Sequence, residues 1–113
     1  MSRKWRYTCA GGKRLREAIT ATGTTDGCRY KREAAAMTAL ENCLTEIVSK
    51  VSEADADEFQ MLKDLISGEA ELISSQSPLI KEMGFATSAE LVDDRLHQFW
   101  DLCDEYRVWV AVP

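Results

Sequence analysis

Residues 9–14, CAGGKR, place two glycines beside a lysine and an arginine. Phosphate cradles are built from such pieces. A P-loop needs GxxxxGK followed by Ser or Thr, so that backbone N–H groups wrap the phosphates and the hydroxyl holds magnesium. Here the first glycine is missing at that offset and Arg14 stands where the hydroxyl belongs, so the P-loop pattern fails. A weaker anion site survives, because the first turn of a helix offers backbone donors and Lys13 and Arg14 flank it. A plain glycine turn into a helix accounts for the same residues.

His97 is the chain's one histidine, with Asp93 and Asp101 four residues to either side. On a helix all three share a face. They have the chemistry of metal ligands, and the carboxylates favour a charged imidazole. Exposed helix faces commonly carry such residues, so no metal is expected. A single histidine also leaves Ser-His-Asp or Cys-His pairings no choice of base. No catalytic residue is assigned, no cofactor is implied, and the chain is not expected to be an enzyme. Cys9, Cys28, Cys43 and Cys103 lie far apart and form no CxxC pair. Four cysteines allow three disulfide pairings. Cys43 and Cys103 fall on apolar helix faces, which favours buried thiols.

Charge is more informative than any of these clusters. Residues 1–32 hold nine Lys or Arg against two acids, a net of +7, while residues 33–113 hold five against seventeen, a net of −12. The whole chain carries −5. A basic head on an acidic body points to a charged partner.

The elements that must position these charges follow from periodicity. Residues 4–9 alternate as a short strand, with Trp5, Tyr7 and Cys9 on one face. A short helix follows over residues 13–20, then a polar loop at 22–27. Residues 29–51 are strongly helical, Met37, Leu40, Leu44, Ile47 and Val51 stepping by three and four. Asp55 with Glu58 reads as the cap of the next helix, buried through Phe59, Leu62, Ile66 and Ile73, weakened at Gly68 and ended near Pro78. One helical turn over 79–85 closes at Gly84. Thr87 and Glu90 form a capping box ahead of the stripe Val92, Leu96, Phe99, Cys103 and Tyr106. Residues 107–113 read as a strand covered on both faces.

Two terminal strands satisfy their backbone groups by pairing with each other. The expected fold is α+β: one domain over residues 1–113, mainly helical with about four helices, and a small sheet joining the N- and C-terminal strands. No apolar run approaches the roughly 20 residues of a membrane-spanning helix. The basic N-terminus has no apolar stretch behind it, so a cytoplasmic location is expected.

Two surfaces emerge. Glu90, Asp93, Asp94, Asp101, Asp104 and Glu105 recur opposite the apolar stripe of the last helix, spaced about as densely as phosphates on a nucleic acid. Glu53, Asp55, Asp57 and Glu58 form a second acidic patch. A solvated helix face gives the same pattern. In the head, Arg3, Lys4, Arg6, Lys13, Arg14, Arg16, Arg29, Lys31 and Arg32 interleave with Trp5, Tyr7 and Tyr30, the makings of a nucleic-acid surface. The same cations also suit the protein's own acids.

Residues 11–19, GGKRLREAI, and 99–110, FWDLCDEYRVWV, resemble a pattern found in small phage and mobile-element proteins of unassigned role. In size and charge such acidic proteins are similar to inhibitors of bacterial defence systems, including anti-CRISPR proteins. The resemblance covers about 21 residues and transfers no functional residue. It implies an inhibitor acting in the cytoplasm of a bacterial host, on a protein partner with a basic groove such as a CRISPR effector nuclease. The alternative is a small regulator that binds nucleic acid through the basic head.

Overall fold

A helix with apolar residues every three or four positions buries one stripe only when another element covers it. The computed structural model, which describes residues 5–22 and 29–111, shows how the stripes are matched. The described residues form β1 (Tyr7–Cys9), α1 (Gly12–Thr22), α2 (Arg29–Lys50), α3 (Glu53–Ser74), α4 (Leu79–Glu82), α5 (Ser88–Glu105) and β2 (Val108–Val110). Of the loop expected at 22–27, Thr22 instead ends α1, and residues 23–27 lie outside the described residues, as do Arg3, Lys4, Cys28 and the side chains of Arg29 and Tyr30.

α2 and α3, each of 22 residues, are joined by Val51 and Ser52 alone. So short a joint between long helices makes an antiparallel hairpin about 33 Å long. Met37, Leu40, Leu44 and Ile47 of α2 meet Phe59, Ile66 and Ile73 of α3 in a fully buried core. α1 lies against α2, and α5 closes over both long helices with Leu91, Val92, Phe99 and Cys103.

Ser52, not Asp55, caps α3. Its backbone is extended and its hydroxyl oxygen accepts from the Asp55 N–H at 3.4 Å. The helix starts two residues before the expected cap, so Asp55 falls inside the first turn and its carboxylate accepts from the Tyr7 hydroxyl at 3.5 Å. Thr87 caps α5 as its sequence indicates, accepting from Glu90 N at 3.2 Å. The Glu90 carboxylate reaches back to Ala86 N at 2.8 Å, one residue outside the cap.

The terminal strands pair in parallel, with Tyr7 opposite Val108, Thr8 opposite Trp109 and Cys9 opposite Val110. The connection between them runs through every helix. β2 is not covered on both faces. Val108 and Val110 are buried, whereas Trp109 is 46% exposed. Side chains alternate along a strand, so Trp109 points away from the face on which Val108 and Val110 are buried. Gly12 lets α1 touch the end of this sheet, because a Cβ there would fall 1.8 Å from the Ala111 carbonyl oxygen. Lys50 ties β1 to α2 by donating to Thr8 O at 2.8 Å.

Candidate partner-binding surface

Each residue of an α-helix turns about 100°, so Glu90, Asp93, Asp94, Asp101, Asp104 and Glu105 fall within an arc of about 120° on α5. All are exposed except Asp94, which is half-buried. The six are not equivalent. Asp94 is drawn onto its neighbour Arg95 and also accepts from Gln98 at 2.7 Å. Asp93 stands 3.9 Å from His97, both largely exposed, and Glu90 serves the helix start. The negative charge least committed to local hydrogen bonds in this set belongs to Asp101 and Glu105, at the far end.

At that end the two acidic patches meet. The start of α3 lies beside the end of α5, and Tyr106 sits between them against the Phe59 ring, centroids 5.4 Å apart. Burial raises the Tyr106 phenol above its usual pKa, and the Glu105, Glu58 and Asp55 carboxylates around it raise it further. Glu58 and Asp101 line one groove between the helices. Glu53 and Asp57 are exposed on the same first turns of α3. Carboxylates from both patches therefore share one region.

Their energetics differ between the two helices. Glu53 and Asp55 occupy the first turn of α3, where the helix dipole favours negative charge. Glu105 ends α5, whose last turn has no basic residue, so the dipole opposes it. Each charge so placed costs about 0.3–1 kcal/mol. This part of the surface is held against local stability.

The basic head is divided. Lys13 and Arg14 line a groove between α1 and α2, whereas Arg16 lines a separate slot with Trp100 between α1 and α5. Arg6 lies over the Tyr7 ring at 5.6 Å, Lys31 is exposed and Arg32 is half-buried. Two of the backbone donors in CAGGKR, Ala10 N and Gly11 N, are already occupied. Glu46 of α2 accepts from Ala10 N at 2.9 Å and Gly11 N at 3.1 Å, and Lys50 stands 3.4 Å from the same carboxylate. The Ala10 N–H lowers the Glu46 pKa more than partial burial raises it, with Lys50 and Gly11 adding to the fall. The anion suited to this turn is the protein's own side chain.

A buried ion pair escaped the sequence reading. Glu69 and Arg95 are 3% and 8% exposed, and the guanidinium grips the carboxylate with two bonds, Nε to Oε1 at 2.7 Å and Nη2 to Oε2 at 2.5 Å. Arg95 also lies 5.6 Å from the Phe85 ring. The pair fixes α3 against α5, and the Glu69 bond raises the Arg95 pKa against the opposing effect of burial. A signal existed. Glu69 fills the gap between Ile66 and Ile73 in one stripe, and Arg95 the gap between Val92 and Phe99 in the other, so opposite charges hold matching core positions.

Cys9, Cys43 and Cys103 are buried free thiols, as the apolar positions of the latter two imply. Burial pushes Cys43 up to about 11 and Cys103 to about 12, with nearby acids and thiols adding to the rise. Such thiols are poor nucleophiles and poor metal ligands. Among the described residues no three His, Cys, Asp or Glu side chains converge on a common point, and no helix is long and apolar enough to cross a membrane. No protein-family model matches the chain, and neither curated proteins nor solved structures offer a counterpart.

Proposed function

We propose that the chain is a non-enzymatic inhibitor that places its acidic surface in the basic groove of a bacterial nucleic-acid-targeting protein. A phage-encoded anti-CRISPR protein meeting an effector nuclease in the host cytoplasm fits its size and charge. One observation carries this reading: Asp101 and Glu105 of α5 gather with Asp55 and Glu58 of α3 at an end of α5 whose last turn holds no basic residue. Charge concentrated in this way speeds encounter with a basic surface and disfavours nucleic acid at the same place.

The alternative uses Arg3, Lys4, Arg6, Lys13, Arg14, Arg16, Arg29, Lys31 and Arg32 to hold nucleic acid directly. Among the described residues, Lys13 and Arg14 line one groove and Arg16 a separate slot, so these three cations do not share one track. A mobility-shift assay on labelled DNA and RNA separates the two. An inhibitor leaves free nucleic acid unshifted and releases a bound nuclease from it. A direct binder shifts it, with affinity falling steeply between about 50 and 200 mM salt as counterions are released. A salt-sensitive shift by the purified protein removes the inhibitor reading.

A further inference from the structure

Carboxylates attract any cation, so selectivity must come from the shape and polarity of the surface between them. Along the seam of α3 and α5 that surface is indented. A groove of about 370 Å³ is lined by Glu58, Met61, Leu62 and Leu65 from α3 and by Gln98, Asp101 and Leu102 from α5. Met61 is 68% exposed and Leu65 44%. The two are one helical turn apart and share a face. Methionine adapts its shape to what it covers and is used at surfaces that bind apolar side chains. Glu58 and Asp101 both line the groove, and among the described residues no lysine or arginine does.

This combination narrows the occupant. A phosphate-bearing ligand meets two carboxylates, and an acidic peptide meets the same repulsion. A second copy docked by two-fold symmetry sets Glu58 and Asp101 against their own counterparts. A chain of lysines satisfies the rim and leaves Met61 and Leu65 wet. The stretch from Glu58 to Leu65 spans seven residue steps, about 10 Å, which matches two turns of a helix laid alongside.

The geometry points to this groove as the seat for a cationic amphipathic helix of the protein partner. Apolar side chains at i and i+4 of that helix enter between Met61, Leu65 and Leu102, while its flanking lysines or arginines reach Glu58 and Asp101. The assignment rests on the acidic-surface reading and adds that apolar contact selects among basic partners. The buried Glu69–Arg95 pair, farther along α3, keeps the two walls in register.

The test uses three fluorescein-labelled 18-residue peptides in anisotropy titrations near physiological salt. One has leucine at helical i, i+3, i+4 and i+7 positions and lysine elsewhere, the second has serine for every leucine, and the third has glutamate for every lysine. The leucine–lysine peptide is expected to bind at least 10-fold tighter than the serine peptide, and the glutamate peptide not at all. Met61→Ser with Leu65→Ser should weaken the leucine–lysine peptide at least 10-fold and leave the serine peptide unchanged, with helical circular dichroism retained. Should the double variant lose that signal, Met61→Ser alone gives the same comparison. Asp101→Lys should weaken both cationic peptides. Wild-type affinity in the double variant, or equal binding of the two cationic peptides, overturns the groove while a loss in Asp101→Lys keeps the acidic surface. No loss in Asp101→Lys removes both.

Discussion

Glu69→Gln removes one charge from the buried pair and keeps the side chain's size. Glu69 is 3% exposed and supplies both acceptors to the Arg95 fork. Breaking a buried pair from one side costs about 3–5 kcal/mol, because the other charge stays buried. Two features reduce that figure here. The amide oxygen still accepts one bond, and Asp94 remains in contact with Arg95. A cost of about 2–3 kcal/mol follows. A chain of 113 residues has on the order of 10 kcal/mol in total, and near 4 °C is lost per kcal/mol, so the melting midpoint should fall by about 10 °C. Converting both partners, Glu69→Met with Arg95→Met, should return stability to within about 1 kcal/mol of wild type, since no charge is then buried. Urea unfolding followed by circular dichroism measures all three proteins, and added salt should change the differences little. A cost under about 1 kcal/mol for Glu69→Gln, or a double variant no better than the single, refutes this view of the pair.

Five further outcomes follow from particular surroundings. Gly12→Ala should destabilise by at least about 1–3 kcal/mol, because its Cβ must displace the Ala111 backbone, whereas Gly68→Ala, with open space around it inside α3, should stabilise by about 0.5–1 kcal/mol in the same thermal melts. The Glu46 pKa is lowered in the folded protein, so its contribution is present above the ordinary carboxylate range and fades as pH falls through the lowered value. Glu46→Gln should therefore be less stable than wild type at pH 6, with the gap narrowing below pH 4.5 in urea titrations. Glu105→Lys should raise stability by about 0.3–1 kcal/mol by answering the α5 dipole, while weakening partner binding; a variant that gains neither stability nor loses affinity contradicts the placement. Cys43 and Cys103 should resist iodoacetamide in the native protein and react on unfolding, as peptide mass mapping reports.

The long helices were legible because each carries an apolar stripe; Met37 to Ile47 and Val92 to Cys103 needed no tertiary information. The pairing of the chain ends followed from backbone hydrogen-bond demand alone. What was not legible depended on neighbours. Ser52 and Asp55 are equally good cap types, and only the start of α3 decides between them. Trp109 is apolar by type but lies on the exposed face of β2. Nothing in the sequence singles out Glu46, among nineteen acids, as the group that fills the donors at Ala10 and Gly11. The acidic arc of α5 was visible from spacing. That its far end joins the start of α3 around Tyr106 required the packing of the two helices.

The most direct test reverses the charge where the two patches meet. Asp101→Lys, Asp104→Lys and Glu105→Lys, combined in one protein, should keep the helical spectrum of the wild type. In parallel affinity captures from a bacterial host lysate, the wild type is expected to retain a nucleic-acid-handling protein that added DNA displaces. The triple variant is expected to retain none of it. Equal capture by both proteins, or capture that DNA does not disturb, contradicts the claim that this acidic surface competes for a nucleic-acid groove.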